Sequence, residues 1–251
     1  MIKAVFFDLD NTLYHLYPLH EAAWKEVLSY AGNELSIAED IFNEAVKREM
    51  RRCVALLGKN SAVIHNRHIR FQKTLQRLNM PVFPHADRMY HIYWNRIFSE
   101  MKPDPGAVRL LEELRNRGIY VAIATNMTAH VQYHKIEKLG IEGLLNAVIT
   151  SEEAGLEKPD PNFFSYCAGE AGLLTQECAF VGDSPATDIE GAKAAGMRGV
   201  LYAPEGRIVS EEGSIPLEQV EPRKKIDGRF PDIITNYENL EQIIPILLEE
   251  Q

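Results

Sequence analysis

Strand-like and helix-like segments alternate along the chain from Pro103 onward, and this alternation limits the possible fold more than any other feature. Asp104-Pro105 and Asp160-Pro161 each place an N-capping side chain before a proline, which is typical of a helix start. The strands are predicted at 119–124, 147–150, 178–181, 199–203 and 232–235, and the helices at 105–117, 128–139, 161–171, 187–195 and 237–248. Alternation on this scale favours crossover connections and a parallel sheet.

The first apolar run, from Lys3 to Leu9, predicts one more strand. It lacks the period-2 alternation of a half-exposed strand, so we expect both of its faces to be buried. The predicted fold is therefore an α/β fold with a doubly wound parallel sheet. Two helix details are also predicted: Thr128 caps the helix that follows it, and Pro245 kinks or stops the last helix.

Residues 16–99 interrupt this pattern with four stripes of apolar residues at helical spacing. Turn formers cluster between the stripes, near Gly32-Asn33, 58–60 and 81–84. We predict an all-helical insertion over 16–99 in a core domain built from 1–15 and 100–251. Trp24 and Trp94 are predicted to anchor the interior of the insertion.

Residues 204–230 are polar and charged and show no clear period. A structureless loop of that length is uncommon inside a compact domain. A surface excursion, a flap and an oligomer contact are all open alternatives for this segment. The sequence makes no prediction of the oligomeric state.

The composition excludes some classes of partner. A formal net charge of −9 disfavours binding to a nucleic-acid polymer, which depends on excess Lys and Arg. No apolar run approaches the roughly 20 residues that a membrane span needs, and the N-terminus shows no secretory pattern. Three scattered cysteines suit a reduced compartment, so a cytoplasmic location is expected.

Polar and charged side chains follow the predicted strands at the points where the strands end. Because ligands bind beyond the carboxyl ends of strands in open α/β sheets, we expect these side chains to converge. The residues are Asp8, Asp10, Thr125, Asn126, Lys158, Asp183 and Asp188.

Four carboxylates in one small site repel one another and require a cation. Mg²⁺ prefers hard oxygen ligands and is commonly held by carboxylates together with substrate phosphate. The predicted metal residues are Asp8, Asp10, Asp183 and Asp188. Lys158 adds a second positive charge, and a phosphate group would complete the charge balance.

These motifs, in this order and each after a predicted strand, resemble the four motifs of the haloacid dehalogenase superfamily. The motifs are Asp8-Leu9-Asp10-Asn11-Thr12, Thr125-Asn126, Lys158-Pro159, and Gly182-Asp183-Ser184 with Asp188. The resemblance implies a Rossmann-like core, and it implies that 16–99 is a mobile cap.

The resemblance also implies a role for each residue. Asp8 would be the nucleophile that forms an aspartyl-phosphate, and Asp10 the general acid and then the base. Lys158 would stabilise charge, and Thr125 would bind the phosphoryl group. The remaining roles are as follows: Asp183 would hold Mg²⁺ with Asp8 and the main-chain carbonyl of Asp10, Asp188 would support the metal, Thr12 would help to position the Asp10 carboxylate, and Thr12 and Asn126 would belong to the phosphate-binding group.

The function implied is Mg²⁺-dependent hydrolysis of a phosphomonoester of a small soluble metabolite, either a nucleotide or a sugar or polyol phosphate. Three alternatives remain on the same scaffold: a 2-haloacid dehalogenase, a sugar-phosphate mutase and a non-catalytic phosphate-responsive module. Asp10 argues against dehalogenation, because a halide leaves without a proton.

Substrate selection is expected to fall to the Tyr14–His20 loop and the inner face of the insertion. A solvated helix face is favoured over a substrate contact for Arg67 and Arg70. His68 is predicted to be a core histidine, and a metal pair with His65 is disfavoured because no third ligand is evident.

Overall fold

A computed structural model describes residues 1–58, 61–210, 213–216 and 232–248. Its strands are β1 (Ala4–Phe7), β2 (Tyr120–Thr125), β3 (Ala147–Thr150), β4 (Cys178–Gly182), β5 (Arg198–Tyr202), β6 (Arg207–Ser210), β7 (Gly213–Pro216) and β8 (Asp232–Ile234). Six of them form one sheet in the order β3-β2-β1-β4-β5-β8, and every neighbouring pair is parallel. The predicted parallel sheet is confirmed.

Helices cover both faces of this sheet. The helices that follow the insertion are α5 (Pro105–Asn116), α6 (Ala129–Leu139), the short α7 (Ser151–Ala154), α8 (Pro161–Glu170), α9 (Glu190–Ala194) and α10 (Leu240–Leu248). Val5 and Phe7 of β1 join an apolar cluster with residues of α5, α6 and α10. Ala4 and Phe6 point the other way, into a cluster with α8 and α9. Because β1 is buried on both sides, its unbroken apolar run is explained, and the doubly wound prediction is confirmed.

The described part of the region between β1 and α5 is helical, as predicted. It contains α1 (Leu16–Leu35), α2 (Glu39–Leu57), α3 (Arg67–Arg77) and α4 (His85–Glu100). Trp24 stacks on Phe71 at a ring-centroid distance of 6.2 Å, and Trp94 is buried. These helices share one apolar cluster with a face of the sheet. A separate domain with boundaries at 16 and 99 stays a prediction.

Two of the predicted helix ends differ in the structure. The break predicted near Gly32-Asn33 falls slightly later, because α1 runs to Leu35 before Ser36 takes a left-handed conformation. Pro245 was predicted to kink or stop the last helix; it does not stop α10, which continues to Leu248, and a kink there stays a prediction. Burial of Ile244 and Leu247 against the core offsets the missing N–H of the proline.

The caps of the helix starts follow the sequence only in part. The Asp104 carboxylate accepts hydrogen bonds from the main-chain N–H groups of Gly106 and Ala107 at 2.7 and 3.2 Å. Thr128 occupies the N-cap position of α6, but its side chain makes no capping hydrogen bond. Glu152, from another element, accepts from the Ala129 N–H at 2.8 Å and takes over that role.

The segment 204–230 contains the antiparallel hairpin of β6 and β7. These two strands are not a structureless loop, and the choice between a surface excursion, a flap and an oligomer contact stays open. Residues 211–212 and 217–230 lie outside the described residues. Among the described helices, none is both long and apolar enough to cross a membrane.

Candidate active site

The predicted site residues converge at the carboxyl edge of the sheet. Phe7 of β1 pairs with Ile123 of β2 and with Val181 of β4, so the next residues of these strands are neighbours. The Asp8 N–H donates to the Val181 carbonyl at 2.8 Å, which carries the register one residue beyond β1. Strand register therefore brings the first, second and fourth motifs together.

The loop after β1 is shaped by Asn11, which has a positive φ of 61°. Its side-chain oxygen accepts from the Leu16 and Tyr17 N–H groups at 2.9 and 3.1 Å. These bonds satisfy donors at the start of α1 and set the direction in which the chain leaves the site. Asparagine is among the few residues that adopt this conformation readily.

Asp8 is buried and paired with a lysine. The Lys158 Nζ lies 2.6 Å from Asp8 Oδ1. Burial raises the pKa of the Asp8 carboxyl to about 6, against the lowering effect of Lys158, and Asp188 and Asp10 add to the rise. Burial is thus the main cause of the rise, and the two neighbouring carboxylates contribute less.

Lys158 bridges two acids. Its Nζ also lies 2.7 Å from Asp188 Oδ1, and its side chain is only 3% exposed. Burial alone would lower the pKa of Lys158, but the two carboxylates outweigh it and raise the pKa. The lysine is held in its charged form between the acids.

The main chain of Lys158 is clamped by Asn126. The Asn126 amide donates to the Lys158 carbonyl at 2.9 Å, and its oxygen accepts from the Lys158 N–H at 2.8 Å. Both ends of the amide are thus used within the protein, and the predicted place of Asn126 in the phosphate-binding group stays a prediction. Its role in the structure is to position the lysine loop.

Asp8, Asp183 and Asp188 form the acidic cluster: each offers a carboxylate oxygen, and these oxygens all lie within 4.8 Å of one another. Burial raises the pKa of Asp183 well above its ordinary value, and the charges of Asp188 and Asp8 raise it further. Ser184 N–H donates to Asp188 Oδ2 at 3.0 Å and fixes that side chain. A shared cation would relieve the repulsion in this cluster.

Gly182 makes the close approach of Asp188 possible. A Cβ at residue 182 would lie 2.4 Å from Asp188 Oδ2, which no real contact allows. The single π-helical turn Pro185–Ile189 carries Asp188 back toward the end of β4. The glycine is therefore required by geometry.

Asp10 lies apart from the acidic cluster, although it was predicted as a fourth metal residue. Its two carboxylate oxygens lie 2.7 and 2.6 Å from the Nζ of Lys135, a residue of α6. The Tyr14 hydroxyl also donates to Asp10 Oδ1. Burial acts to raise the pKa of Asp10, but Lys135 and Tyr14 outweigh it, so the pKa lies below its ordinary value. Lys135 therefore holds the Asp10 carboxylate outside the acidic cluster, and the predicted metal contact through the main-chain carbonyl of Asp10 stays a prediction.

The two predicted threonines are both buried at the site. Thr125 accepts a hydrogen bond from Gln132 Nε2 at 2.7 Å, which leaves its own hydroxyl proton for another acceptor. The Thr12 hydroxyl lies 3.5 Å from Asp8 Oδ2. This corrects the expectation that Thr12 positions Asp10, since its contact is with the first carboxylate.

Two residues around the site, Gln132 and Lys135, were not predicted from the sequence, and Tyr14 was predicted only as part of the substrate-selecting loop. Gln132 and Lys135 stand three residues apart on the buried face of α6, among Val131, Ile136 and Leu139. A long polar side chain on an apolar helical stripe was the signal that could have found them.

Arg67 faces the inside of the molecule, so the expectation of a solvated face is wrong for it. Its guanidinium lies 4.1 Å from the centre of the Tyr93 ring, and Nη2 donates to the Tyr93 hydroxyl at 2.6 Å. Its charge helps to lower the pKa of Asp10. Arg70 is half-buried and donates to the Ile64 carbonyl at 2.9 Å.

The two histidines of the insertion serve different partners. His65 Nε2 lies 3.1 Å from Glu157 Oε1, beside Lys158, and so joins the insertion to the core. His68 is half-exposed, stacks on Tyr90 and pairs with Asp87 at 2.9 Å, which corrects the core-histidine prediction.

A cavity of about 410 Å³ opens beside Asp183. Asn11 and His15 of the loop after β1, Tyr17 of the first turn of α1, and Arg207 are among the residues that line it. The loop predicted to select the substrate therefore borders open space next to the acidic cluster.

A family model for haloacid dehalogenase-like hydrolases matches residues 2–196. This chain belongs to that family. Among curated relatives, a ribulose-1,5-bisphosphate 5-phosphatase of Halopiger xanaduensis is 35% identical over 81% of this chain and 86% of its own length. A glyceraldehyde 3-phosphate phosphatase of Methanopyrus kandleri is also 35% identical, over 78% of this chain and 82% of its own.

Solved structures share the fold of this haloacid dehalogenase-like chain. A 2-haloacid dehalogenase from Pseudomonas syringae superposes with a TM-score of 0.73 over 97% of this chain and 98% of its own. Its sequence identity is 22%, so this likeness concerns the fold alone.

Proposed function

We propose that this chain is a Mg²⁺-dependent phosphomonoester hydrolase that acts on a small phosphorylated sugar. The names of the two curated relatives support the substrate class, since both are phosphatases of small sugar phosphates. The arrangement of the site supports the chemistry. A cytoplasmic location is part of the proposal and agrees with the three free cysteines.

The observation that carries the proposal is the separation of two neighbouring carboxylates into different surroundings. Asp8 lies in the acidic cluster with Lys158, and Asp10 lies with Lys135 and Tyr14. Different surroundings suit different tasks for two carboxylates in one site. A nucleophile and a separate acid–base group are what hydrolysis through a covalent intermediate requires.

Each bond that breaks and each proton that moves during hydrolysis can be assigned to these residues. An oxygen of Asp8 attacks phosphorus, and the bond to the sugar oxygen breaks. Asp10 is ionised in the free protein, so it takes up a proton with the substrate and gives that proton to the departing sugar oxygen. Water then attacks the phosphorus of the aspartyl-phosphate, Asp10 takes a proton from the water, and Asp8 is released with inorganic phosphate. Lys158 and the Thr125 hydroxyl stabilise the phosphoryl oxygens.

The donor set fits a magnesium ion. Three clustered carboxylates and one ammonium leave two negative charges in excess, and all the side-chain donors of the cluster are hard oxygens. Asp8, Asp183 and Asp188 would hold the ion. When bound, it supplies positive charge that stabilises the phosphoryl group during transfer.

We also propose that 16–99 acts as a cap whose inner face selects the leaving group. The support is contact with the core at two points near the site. Trp94 lies against Lys135 with 5.3 Å between Nζ and the ring centre, and His65 pairs with Glu157 next to Lys158.

Dehalogenation is disfavoured by the surroundings of Asp10. A halide leaves as a stable anion and takes no proton, so a second carboxylate with its own lysine and tyrosine would have no task. A mutase would share both carboxylates and would transfer phosphate to a second hydroxyl. Product analysis therefore separates these reactions.

The test measures release of inorganic phosphate from ribulose 1,5-bisphosphate, glyceraldehyde 3-phosphate and 4-nitrophenyl phosphate, with Mg²⁺ and with EDTA. We expect phosphate release from at least one sugar phosphate, lost in EDTA and restored by Mg²⁺. A parallel assay measures chloride release from 2-chloropropionate. Turnover that survives EDTA, isomerised sugar phosphate without phosphate release, or chloride release would each contradict the proposal.

A further inference from the structure

Lys135 occupies a position where helix packing calls for an apolar residue. It is completely buried in α6, on the same face as Val131, Ile136 and Leu139. Burial lowers the pKa of its ammonium, against the opposing effect of Asp10. A hydrophobic residue of similar size commonly serves stability as well as or better than a buried ion pair. Stability alone therefore does not explain this lysine.

The contacts of Lys135 are concentrated on one group. Its Nζ lies 2.7 and 2.6 Å from the two oxygens of Asp10, and the Tyr14 hydroxyl donates to one of the same oxygens. On its other side the ammonium lies 5.3 Å from the centre of the Trp94 ring. The Asp10 carboxylate is thus held by donors from α6 and from its own loop.

These contacts determine whether the Asp10 carboxylate lies beside Lys135 or among the three carboxylates of the acidic cluster. The Asp10 carboxylate is attached two residues after Asp8, yet it stands outside the three-carboxylate cluster that fits a divalent ion. A carboxylate that turned onto that ion would no longer be available to the leaving group. The buried Lys135 ammonium, on the opposite side, prevents the Asp10 carboxylate from turning onto the ion.

We propose that Lys135 is a positioning residue that holds Asp10 away from the metal cluster and aims its carboxylate at the leaving-group oxygen. This inference rests on the proposed phosphatase function. Lys135 itself touches no reacting atom in this scheme and acts through Asp10. Tyr14 assists it by bonding one oxygen of the same carboxylate.

The proposal predicts that Lys135 matters most when the leaving group needs a proton. General acid catalysis contributes about 10²–10⁴-fold, and it contributes little when the leaving group is already a stable anion. The constant kcat/KM reports the steps up to formation of the phosphorylated enzyme, in which the leaving group departs. Phenolate needs a proton far more than 4-nitrophenolate does, and a sugar alkoxide needs it most.

The experiment compares kcat/KM of the wild type and Lys135→Met on 4-nitrophenyl phosphate, phenyl phosphate and glyceraldehyde 3-phosphate, with saturating Mg²⁺. We expect a loss below about 5-fold on 4-nitrophenyl phosphate and of at least about 30-fold on phenyl phosphate. Any activity on the sugar phosphate should fall at least as far as on phenyl phosphate. Lys138→Met is the matched control, because Lys138 is exposed one turn along the same helix.

Two further variants test whether Lys135 acts through Asp10. When Lys135→Met is added to Asp10→Asn, kcat/KM on phenyl phosphate should fall by less than about 2-fold further. The effects of residues that act as a unit are not additive. Lys135→Gln keeps an N–H donor and should fall between the wild type and Lys135→Met in its selectivity between the two aryl esters. If circular dichroism shows that Lys135→Met does not fold, Lys135→Gln replaces it in the comparison of the two aryl esters.

Equal losses on both aryl esters, no loss on either, or full additivity with Asp10→Asn would overturn the inference. These outcomes differ from failure of the proposed function. In that case the wild type itself would release no phosphate from any of the esters.

Discussion

The two lysines of the active site face their carboxylates in different proportions. Lys158 stands among three acids, and its charge leaves an excess of negative charge around Asp183. Lys135 faces Asp10 one to one, with Tyr14 as an additional donor. The first region is electrostatically incomplete and suits a bound cation. The second is complete and suits a side chain that must keep one orientation.

The largest expected effect is on the nucleophile in the incomplete region. Asp8→Asn keeps the shape of the side chain and removes the charge that attacks phosphorus. We expect kcat for 4-nitrophenyl phosphate to fall at least about 10⁴-fold. Asp40→Asn is the control, because Asp40 is exposed at the start of α2. Activity of Asp8→Asn within 10-fold of the control, a margin on the order of 1.4 kcal/mol, would remove Asp8 from the mechanism.

In the balanced region, loss of the acid should destabilise the fold. Asp10→Asn leaves the Lys135 ammonium buried without a counter-charge, and the exposed fractions of the two side chains are 23% and 1%. Breaking a buried pair costs roughly 3–5 kcal/mol, and the partial exposure of Asp10 reduces this to about 2–3 kcal/mol. Urea unfolding in EDTA measures the change, and an unchanged free energy of unfolding would contradict one-to-one pairing.

A third prediction concerns the glycine that admits Asp188 to the cluster. Gly182→Ala would push against Asp188 Oδ2, so we expect the affinity for Mg²⁺ to fall about 10–100-fold. Titration of activity with Mg²⁺ measures this. Gly169→Ala is the control, because a Cβ there meets nothing within 4 Å. Equal Mg²⁺ affinity in both variants would show that Asp188 does not support the ion.

The smallest predicted effect has the opposite sign to that of Asp10→Asn. Asp183→Asn removes one charge from the region of negative excess, so metal-free protein should gain about 1 kcal/mol at neutral pH. Since the pKa of Asp183 is raised in the fold, wild-type stability is lost as the pH rises above the ordinary pKa of 3.8. The gain from the substitution should therefore shrink as the pH falls toward that value. Urea unfolding in EDTA at several pH values checks it, and a loss of stability at neutral pH would refute the charge excess.

The residues around Lys158 were easier to predict from the sequence than those around Lys135, for a physical reason. Asp8, Lys158 and Asp183 follow strand ends, and parallel strands bring their carboxyl ends to one edge. Carboxylates that lie close together repel one another and therefore also indicate a bound cation. The partner of Asp10 gave no such signal, because Lys135 comes from a helix and meets Asp10 only through packing in three dimensions.

Other features were not predictable for similar reasons. The direction of the Asn126 amide depends on the path of the Lys158 loop, which no local pattern encodes. The hairpin of β6 and β7 was missed because its sequence lacks a clear apolar alternation. Arg67 was assigned to solvent because its helical neighbours are polar, while the aromatic ring that receives it lies 26 residues later, at Tyr93.

The most direct test of the account is a rapid-mixing experiment with Asp10→Asn and 4-nitrophenyl phosphate in Mg²⁺. This leaving group departs without an acid, but the second step lacks its base, so phosphorylated Asp8 should accumulate. We predict a burst of one 4-nitrophenolate per active site and a phosphoryl group on the peptide that contains Asp8. Release of 4-nitrophenolate and phosphate at equal, constant rates, with no burst and no phosphorylated Asp8, would contradict the account. It would show that Asp8 and Asp10 do not act as nucleophile and as acid–base group.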